Sequence, residues 1–323
     1  MGGHSSAVGI VANPASGQDV RRLVTQASVF PTSEKAHMVQ RLLGAMGALG
    51  VGRVLLMPDR AGICDAVRGA RDRRASGARW PEVEVLDTPV EESAADTAAA
   101  VRRMAEERVS AIAVLGGDGT CRAVAAHCGE IPLATLSTGT NNVFPSLREA
   151  TVAGLAVGLV AQGLVPAGVA LRRNKVLRIG SSAPGRRQEM ALVDACLSTL
   201  AHVGARALWQ PEALVELAVA FAEPDAIGLS SIAGLLHPVR RDEPHGLVLR
   251  LAPPGAPAAR TRVAAPIAPG LVAEVGVAAV EPLAPGAPRL LEAAAGTLAL
   301  DGERQVELAP GERLTVTLDP DGP

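Results

Sequence analysis

Aromatic side chains are scarce in this chain: they make up 2% of its 323 residues, and tyrosine is absent. Proteins that bind single-stranded nucleic acid stack successive bases on aromatic side chains, so this scarcity argues against that class of protein. The hydrophobic fraction is nevertheless 48%, which is enough for a packed core. We therefore expect a globular protein whose core is built from valine, leucine, isoleucine and alanine.

An excess of charge of one sign is also missing. The chain carries 31 lysine and arginine residues against 33 aspartate and glutamate residues, which gives a formal net charge of −2. Nucleic acids and anionic membranes are attracted by strongly basic surfaces, and this balance gives no sign of one. We therefore expect neither a nucleic-acid partner nor a membrane partner.

The four cysteines lack the paired spacing of a zinc site, and no histidine lies at ligand spacing from them. They do not indicate a disulfide framework either, which favours a reducing compartment. The first residues, MGGHSSAVG, lack the basic segment that opens a secretory signal. The sequence therefore predicts a cytoplasmic protein.

One uncharged run, residues 150–171, is long enough to raise the question of a membrane span. It contains Gln162 and Pro166, however, and it lacks the aromatic residues that flank such spans. We predict instead a helix that ends near Gly163, followed by a strand at Gly168–Leu171.

Apolar segments alternate with helical patterns over residues 7–136. This alternation predicts a parallel sheet with helices on both faces. Its central stretch is Ala111–Thr120, AIAVLGGDGT, in which an apolar run ends in a glycine-rich turn. An apolar run of this length, bounded by glycines, is typical of a strand that is buried on both faces.

The glycine-rich turn is a candidate phosphate-binding loop, because glycines let the backbone approach a ligand closely. A helix that begins after the turn would direct its first N–H groups at a phosphate. Asp118 would then lie at the carboxyl end of the strand, where open α/β sheets bind their ligands. The alternative is a tight turn in which the aspartate caps its own helix. The candidate residues of the loop are Gly116, Gly117, Asp118, Gly119 and Thr120.

Two more loops of small polar residues follow apolar strands, at residues 13–17 and 137–142. Any one such loop is a weak signal, but three in one α/β half indicate a nucleotide cleft. We therefore predict that the three loops converge on one crevice that faces Asp118. The candidate residues of the two loops are Asn13, Ser16, Gly17, Thr138, Gly139, Thr140, Asn141 and Asn142.

The character of the sequence changes after Arg148. From Gly246 onward, short strand-like runs alternate with proline and glycine turns, which is typical of an antiparallel sandwich or barrel. Before them, Pro211–Ala222 has helical spacing. We predict an N-terminal α/β phosphate-binding domain at residues 1–148 and a C-terminal β-rich substrate domain at residues 149–323.

The motifs NPxSG, GGDGT, TGTNN and a late DGE resemble those of the superfamily of NAD kinases, diacylglycerol kinases and sphingosine kinases. Within it, Ala12–Val51 and Leu136–Pro145 are similar to the AcoX proteins of acetoin catabolism, which are labelled ATP-NAD kinase-like. The resemblance implies an α/β plus all-β fold, with a Rossmann-like parallel sheet, a C-terminal β-sandwich-like domain and the active site between them. It also implies a homo-oligomer.

The resemblance assigns a role to each loop. Asp118 matches the central aspartate of the superfamily, which implies that it orients the acceptor hydroxyl and helps to hold Mg²⁺. Asp301 is a second candidate metal ligand, although an Asp-Gly pair between strands is also a common hairpin turn. The glycines and polar residues of the three loops would bind the phosphates and ribose of ATP.

Two acidic residues are candidates for the general base. Glu303 of the late DGE resembles the general base of the lipid kinases, and Asp194 matches the acid of the Asn–acid pair of NAD kinases. Val193 replaces the amide of that pair. An apolar side chain cannot make the hydrogen bonds that specify a dinucleotide, which counts against NAD as the acceptor.

The sequence thus predicts an ATP-dependent kinase that transfers a phosphoryl group to a hydroxyl of NAD or of a small hydroxylated metabolite. Two alternatives remain open. NPxSG and DGE favour a lipid kinase, whereas the lack of a basic face disfavours it. The valine at position 193 favours a nucleotide-binding sensor that has lost catalysis.

Overall fold

The structure is a computed structural model that describes residues 6–17, 30–72, 79–139, 142–146, 148–200, 210–291, 296–302 and 304–322. The described residues divide into two compact units. The first comprises residues 6–17 and 30–172, and the second lies within residues 173–322. The division falls after Arg172, later than the 148/149 boundary that the change in sequence character predicts.

The first unit contains a five-stranded parallel sheet in the order β3-β2-β1-β4-β5. The sheet grows outward from β1 in both directions, so the strand order reverses between β1 and β4. At such a switch point, the loops at the carboxyl ends of the two strands diverge and leave a crevice. The strands are β1 Ala7–Ala12, β2 Arg53–Leu56, β3 Glu82–Val85, β4 Ile112–Gly116 and β5 Leu133–Ser137.

Helices cover both faces of this sheet, as the alternating pattern predicts. Val8 and Ile10 of β1 share one core cluster with Leu42 of α1. Gly9 faces the other side of the strand from Val8 and Ile10, and it lies against Met104 of α3. The described helices of this unit are α1 Thr32–Ala48, α2 Ile63–Asp72, α3 Ala94–Glu106, α4 Asp118–Ala125, α5 Ala150–Ala161 and α6 Ala167–Ala170.

The uncharged run forms α5, which ends before Gly163 as predicted. A Cβ atom on Gly154 would lie 2.8 Å from the Ala45 Cβ atom of α1 and 2.9 Å from the Leu42 carbonyl oxygen. This close approach packs α5 on α1, which is why the run belongs to the first unit. The predicted strand at Gly168–Leu171 is wrong, because residues 167–170 form the helical turn α6. No helix in the described part of the chain is long and apolar enough to cross a membrane.

The second unit contains two antiparallel sheets, which confirms the predicted fold class. The larger sheet has seven strands in the order β11-β12-β10-β9-β8-β14-β15, and the smaller has four in the order β13-β16-β6-β7. The elements are β6 Val176–Ser181, β7 Glu189–Ala191, β8 Asp194–Ser198, β9 Leu214–Val219, α7 Ser230–Leu236, β10 Gly246–Ala252, β11 Thr261–Ala268, β12 Leu271–Leu283, β13 Arg289–Leu291, β14 Gly296–Leu300, β15 Arg304–Leu308 and β16 Leu314–Asp319.

The helix predicted at Pro211–Ala222 is wrong. A short 3₁₀ turn at Pro211–Ala213 leads into β9, which pairs with β8 on one side and β10 on the other. Leu217 of β9 is opposite Cys196 on one neighbour and Leu249 on the other. This pairing in the interior of the sheet overrides the helical spacing of the local sequence.

All four cysteines are free and buried. Burial raises the pKa of the Cys64 thiol to about 12 and that of the Cys128 thiol to about 11. Such thiols carry almost no thiolate at neutral pH and are therefore unreactive.

Candidate functional site

The structure brings the three predicted loops together at the carboxyl ends of β1, β4 and β5. The Asn13 Nδ2 atom donates a hydrogen bond to Thr120 Oγ1 at 2.8 Å, which ties the first loop to the second. The hydroxyls of Ser16 and Thr138 are hydrogen-bonded at 2.9 Å, which ties the first loop to the third. The Thr138 N–H donates to the Gly116 carbonyl oxygen at 3.0 Å, which ties the third loop to the second.

The side chain of Asn13 stabilises the turn of the first loop, residues 13–17. The Ala15 N–H donates to Asn13 Oδ1 at 2.9 Å, a local bond that favours a turn. Gly17 ends the loop with φ +80°, a conformation that L side chains rarely adopt. A Cβ atom at this position would also lie 3.0 Å from the Thr138 carbonyl oxygen. The loop therefore requires glycine both for its backbone conformation and for its approach to the third loop.

The glycines of the other two loops are also required by close contacts, within a loop or between loops. A Cβ atom on Gly139 would lie 2.8 Å from the Gly117 Cα atom and would overlap the side-chain amide of Asn142. A Cβ atom on Gly116 would overlap the side chain of Thr120. Gly139 lets the third loop touch the backbone of the second, and Gly116 leaves room for the Thr120 side chain, so both glycines have a packing role whatever else they do.

Asp118 is buried, with 3% of its surface exposed, and it lies in the first turn of α4, after the N-cap residue Gly117. Its Oδ1 atom accepts a hydrogen bond from the Phe144 N–H at 2.8 Å. The Val143 N–H lies 3.2 Å from Oδ1 and 3.1 Å from Oδ2. The carboxylate therefore binds the segment that follows the third loop, a contact that a helix cap alone does not predict.

The third loop is only partly described. Asn142 Nδ2 donates a hydrogen bond to the Ser137 hydroxyl, and Thr138 is fully buried. Thr140 and Asn141, which the sequence places among the ligand-binding residues, lie outside the described residues, as does the candidate base Glu303.

No motif pointed to Lys35, which the structure places directly beneath the first loop. Its side chain is 0% exposed, and Nζ donates to the carbonyl oxygens of Asn13 at 2.9 Å, Pro14 at 2.9 Å and Ser16 at 2.7 Å. Burial lowers the pKa of the Lys35 ammonium to about 8. The available signal was a lysine at helical spacing from the buried Val39, on the apolar side of α1.

In the second unit, Asp301 is 4% exposed and binds consecutive backbone N–H groups. Its Oδ1 atom accepts from Leu192 at 2.9 Å and Val193 at 2.8 Å, and more weakly from Asp194 at 3.3 Å. Its Oδ2 atom also lies 3.2 Å from the Leu192 N–H. Asp301 has φ +49° and stands between the paired strands β14 and β15, as the hairpin interpretation predicts. Its role as a metal ligand stays a prediction.

The structure brings Asp194 and Asp301 together at the start of β8. Asp194 is 4% exposed, and its carbonyl oxygen accepts a hydrogen bond from the Asp301 N–H at 2.9 Å. The side chain of Val193 is fully buried. This position therefore offers no hydrogen-bonding side chain to a dinucleotide.

The described residues of the three loops contain one carboxylate, Asp118. The described part of the chain contains no group of three or more histidine, cysteine, aspartate or glutamate side chains placed to hold a metal ion. Mg²⁺ in phosphoryl-transfer sites uses one or two carboxylates together with substrate phosphates and water. The donor set therefore fits an ion carried by a nucleotide, and it does not form a cage made by the protein alone.

The loops also fit a phosphate group. α4 begins after Gly117, which supplies no side-chain cap, at the switch point of the sheet. The polar side chains of Asn13, Ser16 and Thr138 bind other parts of the loops. A phosphate would therefore be met chiefly by backbone N–H groups, as in other glycine-rich anion sites.

The parallel sheet, with polar loops gathered at its switch point, belongs to the kinase-like class of folds. Residues 8–164 match the family described as the ATP-NAD kinase N-terminal domain. Residues 175–321 match the family described as the acetoin catabolism protein X C-terminal domain. The chain is 47% identical over 316 residues to "Acetoin catabolism protein X" of Cupriavidus necator, covering 96% of this chain and 87% of that protein. The chain therefore belongs to the acetoin catabolism protein X family.

Among solved structures, the chain is similar to the one described as "Crystal structure of a putative diacylglycerol kinase from Bacillus anthracis str. Sterne". The alignment covers 98% of this chain and 96% of that chain, with a TM-score of 0.47 and 13% sequence identity. This likeness is too weak to bear on function.

Proposed function

We propose that this chain is an ATP-dependent phosphotransferase whose acceptor is a hydroxyl group of a small molecule. The observation that carries the proposal is the convergence of the three loops at the switch point of the sheet, beside the buried carboxylate of Asp118. The match of the first unit to the N-terminal domain of ATP-NAD kinases supports the same reaction class.

Phosphoryl transfer needs positioning and charge stabilisation much more than covalent help. The backbone of Gly17, of residues 116–120 and of Gly139 would hold the phosphates of ATP. Mg²⁺, when bound with the nucleotide, neutralises the negative charge that develops on the transferred group. Asp118 is the described carboxylate of these loops that would help to hold the ion.

Asp118 is suited to orient the acceptor because its own position is fixed. The N–H groups of Val143 and Phe144 hold the carboxylate from one side. We propose that Asp118 accepts a hydrogen bond from the acceptor hydroxyl and sets its direction of attack.

A separate group would take the proton from the acceptor. We propose Glu303 or Asp194 for this step, and such a base contributes about 10²–10⁴-fold in rate. The buried, apolar side chain of Val193 favours a small hydroxylated metabolite over NAD as the acceptor. The name of the relative, which refers to acetoin catabolism, points in the same direction.

The proposal is tested by calorimetry with ATP and Mg²⁺, followed by an ADP-release assay over a library of hydroxylated acceptors that includes NAD. We expect nucleotide binding and ADP release that depends on one class of small acceptor. Release stimulated only by diacylglycerol-type lipids would instead identify a lipid kinase. Nucleotide binding without acceptor-stimulated ADP release would identify a sensor. The absence of nucleotide binding would overturn the whole proposal.

A further inference from the structure

Lys35 lies in an unexpected place for a charged side chain. It is on the buried side of α1, among Met38, Val39 and Leu42, and it is fully buried. Removing an ammonium group from water costs free energy, and this burial lowers the pKa of Lys35 to about 8. An apolar residue at this position would avoid that cost, so the contacts of the ammonium group must offset it.

Those contacts are three carbonyl oxygens of a single short loop. Nζ donates to Asn13, Pro14 and Ser16 at 2.7–2.9 Å, which matches the three N–H donors of an ammonium group. Within the described residues, no carboxylate lies at ion-pair distance from Nζ. Lys35 therefore binds the backbone of the first loop and takes no part in an ion pair with a described residue.

These bonds fix the orientation of the peptide groups in the loop. In a trans peptide, the C=O bond and the following N–H bond point in opposite directions. Because the Ser16 carbonyl points toward Nζ, the Gly17 N–H points away from it. In the same way, the Pro14 carbonyl faces Nζ, and the Ala15 N–H points toward Asn13 Oδ1.

We propose that Lys35 is a positioning residue for nucleotide binding. It holds the carbonyl oxygens of Asn13, Pro14 and Ser16 away from a bound phosphate, and it directs the Gly17 N–H to the opposite side of the loop. The buried positive charge adds attraction for that anion from beneath the loop. This inference rests on the proposed function, because it presupposes that a nucleotide binds there, although Lys35 itself touches only the loop.

Lys35→Met tests the inference, because methionine is close to lysine in size and has no N–H donor. Lys35→Gln is the second variant, because it keeps an NH₂ donor on a shorter side chain. The matched control is Lys175→Met in the second unit. Lys175 is also buried, and it donates to the carbonyl oxygens of Arg240 at 2.9 Å and His245 at 2.7 Å.

Two measurements are made on the full chain: the affinity for ATP with Mg²⁺ by calorimetry, and amide hydrogen exchange of residues 13–17. We expect Lys35→Met to weaken ATP binding about tenfold and to speed exchange in the loop. Lys35→Gln should weaken binding less, and Lys175→Met should leave affinity within about twofold of the wild type. If Lys35→Met does not fold, the Lys35→Gln variant carries the same comparison.

Unchanged affinity and unchanged loop exchange in both Lys35 variants would overturn the inference. An equal loss of affinity in Lys175→Met would also overturn it, because that loss would be a general effect of replacing a buried lysine. If the wild type binds no nucleotide, the proposed function fails. Hydrogen exchange then still decides whether Lys35 orders the loop.

Discussion

Asp118 in the first unit and Asp301 in the second have much in common. Each follows a fully buried strand, directly for Asp301 and across Gly117 for Asp118, and each precedes a glycine. Each is almost fully buried. Each carboxylate also accepts hydrogen bonds from consecutive backbone N–H groups of a distant segment, residues 143–144 or residues 192–194.

Their surroundings differ. Asp118 opens the helix α4, and two further loops meet beside it through hydrogen bonds. Asp301 joins two antiparallel strands, whose backbone groups are used in the ladder between them. A buried aspartate before a glycine is therefore a way to fix a distant piece of backbone. It indicates a ligand site only where other polar loops converge on the same place.

The largest expected effect is the loss of catalysis in Asp118→Asn. The amide loses the negative charge, and its NH₂ end replaces one of the two oxygens that accept from the Val143 and Phe144 N–H groups. We expect acceptor-dependent ADP release to fall by more than about 10²-fold. Circular dichroism checks that the variant remains folded. Full activity in a folded variant would show that Asp118 has only the structural role of Asp301.

The next largest effect is on stability, in Asp301→Asn. Three backbone N–H groups lose a charged acceptor, and a hydrogen bond to a charged group is worth about 1.5–3 kcal/mol. We expect the free energy of unfolding to fall by about 2–4 kcal/mol in urea denaturation, with the affinity for ATP unchanged.

The same variant also tests the predicted metal role of Asp301. Unchanged stability, together with a loss of Mg²⁺-dependent ATP binding, would contradict the structural interpretation. It would place Asp301 beside Asp118 as a metal ligand, and the distinction between the two aspartates would disappear.

The smallest expected effect concerns Lys175, which is buried in the unit that contains Asp301. Burial lowers its pKa from 10.5 to about 8, against the opposing influence of Glu243 and Asp242. Between these two values the unfolded chain binds more protons than the folded chain, so this group makes stability rise with pH. From about pH 7.5 to pH 9 the rise is about 1 kcal/mol.

Urea denaturation of the wild type and of Lys175→Met at both pH values isolates this contribution. The difference in unfolding free energy between the two proteins should shift in favour of the wild type as the pH rises. A constant difference would show that Lys175 titrates at its ordinary pKa. The buried charge would then cost the second unit little.

The local sequence was sufficient to predict several elements. The apolar runs and glycines around residues 111–120 predicted a buried strand and a turn, and β4 and the start of α4 have that form. The spacing of strands and helices predicted the parallel sheet, and the short strands and turns predicted antiparallel sheets. These features depend on contacts between neighbours in sequence, or on a repeated pattern of burial.

Other features could not be predicted because they depend on residues far away in the chain. Residues 214–219 have helical spacing, but their place between two strands makes them β9. α5 belongs to the first unit because Gly154 lets it approach α1 closely. Asp118 binds the backbone N–H groups of residues 143–144, and such groups carry no signature in the sequence.

By itself, the sequence determined that polar, glycine-containing loops follow three buried strands, since apolar runs must be buried and glycine permits tight turns. Only the tertiary structure decided that these loops meet one another and that Lys35 lies beneath the first of them. The physical reason is that strand order sets which loops are neighbours. The free energy of a buried ammonium group likewise depends on the carbonyl oxygens that the fold places around it.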